Sequence, residues 1–212
     1  MCKSALITLA VLASLAPATA AIITVIPAGA TTTTFTVTGI QTDLTSATVN
    51  GFTITGTKFQ DGGGTFCLGS NGCWSRSGGF SWVSTGAFGT FRIDLGGLNS
   101  SAGGFFNYAP GNSPSPTISA IAADGTTILE TDDLSVLAPI STPGIDDAGA
   151  FRGITLSSPA IRFLQVNGAF VVEHSVTVAN PAVSAVPEPS TLPLASLALA
   201  GLFYLRRRGQ LR

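Results

Sequence analysis

The sequence predicts an all-β protein: an antiparallel two-sheet β-sandwich of the jelly-roll type, flanked by an N-terminal signal peptide and a C-terminal apolar membrane segment. Three observations predict this class. Short runs of β-branched and aromatic residues alternate with polar ones, which is the two-residue period of a half-buried strand. Gly, Ser, Thr and Asn separate these runs at short intervals, as in sandwiches and barrels. No stretch between residues 21 and 180 sustains the 3.6-residue period of an amphipathic helix.

Residues 1–20 have the three parts of a secretory signal peptide. Lys3 supplies a positive charge, residues 5–15 are apolar, and Ala18 and Ala20 are small residues at the positions that a signal peptidase reads. A buried N-terminal helix would instead need one polar face, and this run is apolar all round. We therefore expect export, processing by signal peptidase, and one ectodomain over residues 21–180.

The first half of the ectodomain shows the alternation of strands. The sequence predicts strands over residues 31–38, 52–55 and 91–95. In the third strand the apolar residues alternate with Arg92 and Asp94, which predicts one face toward the core and one toward solvent.

Two dipeptides in the second half predict hairpin turns. Asp124-Gly125 follows a predicted strand over residues 118–122, and both turn residues tolerate the positive φ of a two-residue turn. Asn167-Gly168 separates predicted strands over residues 161–166 and 169–178 in the same way.

A Gly-rich segment in the middle of the chain contains two cysteines and both tryptophans. Cys67 and Cys73 enclose five small or flexible residues, and in an oxidising envelope they are expected to form a disulfide. Metal binding is the alternative, but two thiols without a nearby His make a poor zinc site. Trp74 and Trp82 are candidate glycan contacts, because exposed aromatic faces stack on sugar rings. The alternative, which we favour for Trp82, is that it points into the core from the alternating run Phe80-Ser81-Trp82.

Catalytic and metal-binding patterns are weak, so we predict no catalytic residues, no metal site and no cofactor. His174 falls in register with the presumed core face of the last strand, which favours a buried, neutral, hydrogen-bonded histidine. Asp132-Asp133 and Asp146-Asp147 are adjacent pairs, and neighbouring strand residues point to opposite faces. Ca²⁺ binding at these pairs remains an alternative to solvated turn carboxylates, although no EF-hand spacing is present.

The charge of the ectodomain is negative. Between residues 21 and 186 the sequence has ten acidic residues and five basic ones, whereas the positive charge is concentrated at the end of the chain. An acidic ectodomain argues against nucleic acid and against anionic membrane surfaces as ligands, because like charges repel.

The C-terminal segment has three parts in a fixed order. Pro187-Glu188-Pro189 holds the backbone extended, because neither proline continues a helix. An apolar run over residues 192–205 follows. The run ends in three basic residues that resist crossing a bilayer: Arg206, Arg207 and Arg208.

This arrangement resembles the PEP-CTERM sorting signal, which exosortases of Gram-negative envelopes recognise and process. The resemblance covers residues 187–212, with residues 181–186 as a linker, and it implies an exosortase-like membrane enzyme as partner. It also implies an inner-membrane precursor that moves to the envelope surface or the extracellular matrix. The alternative is a plain membrane anchor, yet about 14 residues give only roughly 21 Å of helix against a hydrocarbon core of about 30 Å.

Taken together, these features predict an exported protein of the cell surface or exopolysaccharide matrix with a structural or adhesive role, including weak glycan contact. The alternative function is a polysaccharide-acting enzyme whose site is assembled from scattered carboxylates. The low number of candidate catalytic residues favours the first function.

Overall fold

The computed structural model describes residues 20–37, 43–63, 66–74, 81–87, 89–136 and 149–180. Across these ranges the chain forms strands and one short 3-10 turn, Gly69–Asn71, and the predicted all-β class is confirmed. The first seven strands are β1 (Ala20–Ile23), β2 (Thr31–Thr34), β3 (Leu44–Val49), β4 (Phe52–Gly63), β5 (Phe66–Cys67), β6 (Cys73–Trp74) and β7 (Ser81–Ser84). The remaining strands are β8 (Thr90–Asn99), β9 (Ser101–Tyr108), β10 (Thr117–Ile121), β11 (Ile128–Asp133), β12 (Ala150–Leu156), β13 (Ile161–Asn167) and β14 (Val171–Ala179).

Within the described ranges, twelve strands form one antiparallel sheet. Its order is β1-β12-β9-β14-β7-β4-β8-β13-β10-β11, with β2 beside β14 and β3 beside β4. Strand β4 joins the two halves, because its residues 53–56 pair with β8 and its residues 60–63 pair with β7. The end strands β1 and β11 contact each other, so the sheet is nearly closed and barrel-like. The finer prediction of two separate jelly-roll sheets is not confirmed, since β4 makes the sheet continuous.

The interior is filled by alternate residues of the strands. On β8 the side chains of Phe91, Ile93 and Leu95 are buried, whereas Arg92 and Asp94 are half-buried on the outer face, as the alternation predicts. Most of the largest fully buried side chains come from both halves of the sheet and form one core, among them Phe59, Phe91, Phe106, Ile54, Ile93, Ile118, Ile154 and Ile161.

A two-residue turn connects β3 to β4. Val49 pairs with Phe52, and the turn residues Asn50 and Gly51 have φ of 50° and 85°. Positive φ at both positions is the geometry of a type I′ hairpin, which suits Asn-Gly. This dipeptide was the local signal that would have predicted the hairpin.

The Asp124-Gly125 hairpin is confirmed, but its turn is longer than predicted. β10 and β11 pair directly, and the connection runs from residue 122 to residue 127. Gly125 has a φ of 72°, whereas Asp124 does not have a positive φ. Asp124 instead accepts hydrogen bonds from the amides of Thr126 and Thr127. An Asx-type turn has therefore formed in place of a two-residue turn.

The predicted hairpin at Asn167-Gly168 is wrong. β13 pairs with β8 and β10, whereas β14 pairs with β2, β7 and β9, so the chain crosses between the two halves here. Asn167 accepts a hydrogen bond from Thr90 Oγ1 at 2.6 Å. A Cβ at Gly168 would lie 2.7 Å from Pro116 Cα, so the dipeptide allows a close backbone crossing.

The predicted ends of the ectodomain lie near the first and last strands. β1 begins at Ala20, which pairs with Leu156 of β12, so Ala20 is both the last residue of the predicted signal peptide and the first of the sheet. Predicted strand 31–38 is shorter, since β2 ends at Thr34. The signal peptide up to residue 19, the linker 181–186 and the tail 187–212 lie outside the described residues.

Candidate functional site

A small disulfide-closed hairpin lies on the outer face of the sheet. Cys67 of β5 and Cys73 of β6 are directly opposite each other and form a disulfide, as predicted. Inside this loop Leu68 is fully buried, and Asn71 Nδ2 donates to Tyr108 O at 2.8 Å. The loop is thus fixed to the end of β9 by the packing of Leu68 with Ala109 and by hydrogen bonds from Asn71 to Asn107 and Tyr108.

Trp82 lies beneath this hairpin and is only 3% exposed. Its ring contacts Phe66 edge-on, with 4.7 Å between centroids, and it clusters with Val172 and Ala109. The core interpretation of Trp82 is therefore confirmed, and its assignment as a glycan contact is wrong, because its face is covered. Trp74 pairs with Phe66 through the backbone, and its side chain lies outside the description.

His174 is hydrogen-bonded as predicted, with Nδ1 3.0 Å from Ser81 O, but it is half-buried and does not occupy the core position. The reason is a register shift in the β14–β9 pairing between Glu173 and Val176. Glu173 lies opposite Phe106 and takes the core-facing position instead.

The adjacent pair Asp132-Asp133 points to opposite faces, as predicted. Asp132 is fully buried, while Asp133 is half-buried and accepts hydrogen bonds from Ser135. Burial raises the pKa of Asp132, and the Arg152 guanidinium opposes that rise. The pair therefore offers one carboxyl to solvent and does not form a two-carboxylate hydrolytic site. Asp146-Asp147 lies outside the described residues.

Two further buried acids were not identified as such from the sequence. Glu173 is fully buried, and neither carboxyl oxygen has a hydrogen-bond partner among the described residues. Burial raises its pKa well above the usual value. A Cβ at Gly104 would lie 2.4 Å from Glu173 Oε1, so the glycine leaves space for the carboxyl group. Asp61 is 7% exposed, and its Oδ1 also has no hydrogen-bond partner within the described ranges.

One cleft, here called the threonine cleft, lies on the outer face of β3, β4, β8 and β13. It has a volume of about 340 Å³. Its lining is Thr45, Thr55, Gly56, Thr57, Thr90, Arg92 and Gln165. The strand register explains the grouping, because Thr55, Arg92 and Gln165 are consecutive partners across the sheet. Thr45, Thr55 and Thr57 are exposed, so their hydroxyls are accessible to a ligand.

Arg92 is held in a fixed orientation at this cleft. Its Nη2 and Nε donate to Gln165 Oε1 at 2.7 and 3.3 Å, and its Nη1 donates to Gly125 O at 2.7 Å. Its guanidinium carbon lies 5.6 Å from the Phe163 ring centroid. In the described part of the chain the Gln165 amide nitrogen has no acceptor. The cleft thus combines preorganised planar donors with hydroxyls that both donate and accept.

A second cleft, here called the seam cleft, lies between the segment after β2 and the β3–β4 hairpin. Its volume is about 320 Å³. Its lining is Thr36, Val37, Leu44, Ala47, Thr48, Val49 and Asp61. Asp61 pairs with Val83 of β7, and Val83 belongs to the core, so the carboxyl group enters the cleft from its inner side.

The described residues contain no group of three or more His, Cys, Asp or Glu side chains arranged to hold a metal ion. Nor do they include a helix with the length and apolar character needed to span a bilayer.

The C-terminal segment matches a known family. Residues 185–208 match the family model of the PEP-CTERM protein-sorting motif. The chain carries a PEP-CTERM sorting motif. All the predicted sorting residues fall within the match, namely Pro187, Glu188, Pro189, Arg206, Arg207 and Arg208.

The PEP-CTERM motif indicates an exported protein that is sorted to the cell surface through the membrane, with an exosortase as its general partner. The match begins five residues after the last described residue, Asn180, so motif and β-domain are separate segments of the chain. No curated protein and no solved structure matches the chain.

Proposed function

We propose that this protein is a structural or adhesive component of the cell surface or exopolysaccharide matrix, and that the threonine cleft holds polysaccharide weakly. The PEP-CTERM motif supports the location, since it is the signal of exported, exosortase-sorted proteins. The observation that carries the binding role is the concave, hydroxyl-lined cleft with its fixed Arg92 donors.

The chemistry of this cleft suits a polyhydroxylated ligand. A sugar presents hydroxyls that both donate and accept, and Thr45, Thr55 and Thr57 can complement both roles. Arg92 and Gln165 add N–H donors whose positions are set before a ligand arrives, which lowers the entropic cost of binding. A volume of about 340 Å³ lies at the lower end of the usual range for ligand sites.

Binding at this cleft is expected to be weak for each sugar unit. The lining lacks a stacking tryptophan, and exposed hydroxyls exchange hydrogen bonds with water for hydrogen bonds with sugar at small net gain. A matrix protein compensates through many copies along one polymer, because linked weak contacts add avidity. Weak, repeated contact is the behaviour of an adhesive rather than of a specific receptor.

Co-sedimentation with exopolysaccharide from the producing bacterium tests the proposal. The double variant Thr55→Val, Thr57→Val keeps side-chain shape and removes two exposed hydroxyls, and we expect about tenfold weaker binding. Thr34→Val on β2 is the matched control, because Thr34 is an exposed strand threonine outside the cleft. Equal binding of all three proteins, or no binding by the wild type, would contradict the proposal. Release of reducing ends in the same tubes would instead support the enzymatic alternative.

A further inference from the structure

The seam cleft is lined by a buried carboxyl group, that of Asp61, with one oxygen that lacks a hydrogen-bond donor among the described residues. Asp61 is 7% exposed, its Oδ1 is fully enclosed, and no described group donates a hydrogen bond to that oxygen. Leaving a buried carboxyl oxygen without a donor costs free energy, which a ligand that supplies a donor recovers. Because Asp61 lines the seam cleft, a ligand in the cleft would lie beside this unpartnered carboxyl group.

Among the described residues, no basic side chain neutralises the Asp61 carboxyl group. Burial raises the pKa of Asp61, and the opposing influence comes from its own backbone rather than from a basic side chain. Lys58, on the same strand, pairs with Asp43 at 3.3 Å, and both side chains are more than half exposed. That ion pair lies at the surface, so it leaves Asp61 Oδ1 without a donor.

The other residues that line the cleft indicate the chemical character of the ligand beyond the group that contacts Asp61. Val37, Leu44 and Ala47 are partly buried against the core and present hydrocarbon to the cleft. Thr36 and Thr48 add hydroxyls to the lining. A volume of about 320 Å³ admits a small skeleton and excludes a folded chain. A buried acid with apolar walls is the complement of an ammonium group on a short hydrocarbon.

We propose that the seam cleft is a binding site for a small primary ammonium compound, with the ammonium group directed at the Asp61 carboxylate and the carbon skeleton against Val37 and Leu44. The proposal is independent of the threonine cleft, which lies on the outer face and lacks an acid. Free aliphatic amines and the amino sugars of a polysaccharide share this ammonium chemistry.

Isothermal titration of the full chain in detergent with n-butylammonium chloride tests the site, with n-butanol as the neutral probe. We expect the cation to bind and the alcohol to bind at least about tenfold more weakly, since hydrogen bonds to charged groups are the stronger class. Glucosamine and glucose form the second pair of probes. Tighter binding of glucosamine than of butylammonium would assign the site to amino sugars, and the reverse order would assign it to free amines.

Variants separate the site from general charge effects. Asp61→Asn keeps shape and should weaken butylammonium binding by about tenfold or more. Asp43→Asn makes the same charge change at the surface and should leave the affinity within about twofold. Ala47→Leu narrows the cleft without changing Asp61 and should also abolish binding, which covers the case in which Asp61→Asn fails to fold. No binding to the wild type, or equal loss in the Asp61 and Asp43 variants, would overturn the proposal.

Discussion

At the residue scale, the buried carboxyl group of Glu173 makes the stability of the fold depend on pH. Its carboxyl group is enclosed opposite Phe106, without a hydrogen-bond partner in the part of the chain that the structure describes, and burial raises its pKa well above the usual value. Between the unfolded pKa and the raised folded pKa, only the unfolded chain releases this proton. Stability from this group is therefore complete below about pH 4.3, the usual pKa of a glutamate, and it falls as pH rises toward the raised folded pKa.

We predict that Glu173→Gln stabilises the protein more at pH 7.5 than at pH 5, because the amide cannot ionise and has nearly the same shape. Urea denaturation at both pH values measures the difference in the free energy of unfolding. The other buried acids, Asp61 and Asp132, are present in both the wild type and the variant. Glu130→Gln is the control, since Glu130 is a half-buried side chain on β11. The prediction fails if the stability gain of Glu173→Gln is the same at both pH values.

At the scale of elements, the β3–β4 hairpin depends on one backbone geometry. Gly51 has a φ of 85°, in the left-handed region, and a Cβ there would meet no atom within 4 Å. The cost of a side chain is thus backbone strain alone, about 1–2 kcal/mol. We predict that Gly51→Ala lowers the free energy of unfolding by that amount.

Gly97→Ala provides a matched control for this hairpin. Gly97 lies in β8, also with open space around the Cβ position, but without a positive φ. Thermal or urea unfolding should show little change for Gly97→Ala. Equal destabilisation by the two substitutions would mean that the type I′ turn does not set the stability of the hairpin.

Features that depend on residues close together in the sequence could be predicted, whereas features that depend on distant residues could not. The alternation on β8 and the Asp124 turn depend on neighbouring residues, so they could be predicted. The β14 register shift depends on pairing with β9, which is distant in sequence, so His174 was assigned to the wrong face and the burial of Glu173 was not predicted. The threonine cleft needs four strands in register, and the seam cleft needs the segment after β2 to lie beside the β3–β4 hairpin, so neither leaves a local pattern. The PEP-CTERM motif is contiguous, so it could be identified from the sequence, and the family match over residues 185–208 overlaps the predicted segment 187–212.

At the scale of the whole molecule, folding and sorting are expected to be separable. Glu188 lies between two prolines and eight residues after Asn180, the last described residue. Glu188→Ala should therefore leave the unfolding free energy of the β-domain within about 0.5 kcal/mol while uncut precursor accumulates in the membrane fraction. Replacing Arg206, Arg207 and Arg208 together should also impair processing, because the apolar run then lacks its stop.

Immunoblots of wild type and both variants, in hosts with and without the exosortase, measure the size of the product. The wild type should shorten only where the enzyme is present. A wild type that keeps its full length in both hosts would show that residues 192–205 act as a plain anchor.

The pairing of β14 has a mechanical consequence. The chain leaves the sheet through β14, which is bonded along one side to β9 and along the other to β2 and β7. Tension entering from the C-terminal side runs parallel to this strand, whereas its ladder hydrogen bonds lie across the strand. Such a load must break many hydrogen bonds at the same time. At a sheet edge, by contrast, a load could open them one after another. A protein tethered through its C-terminal side would therefore resist unfolding most strongly when the pulling force acts along β14.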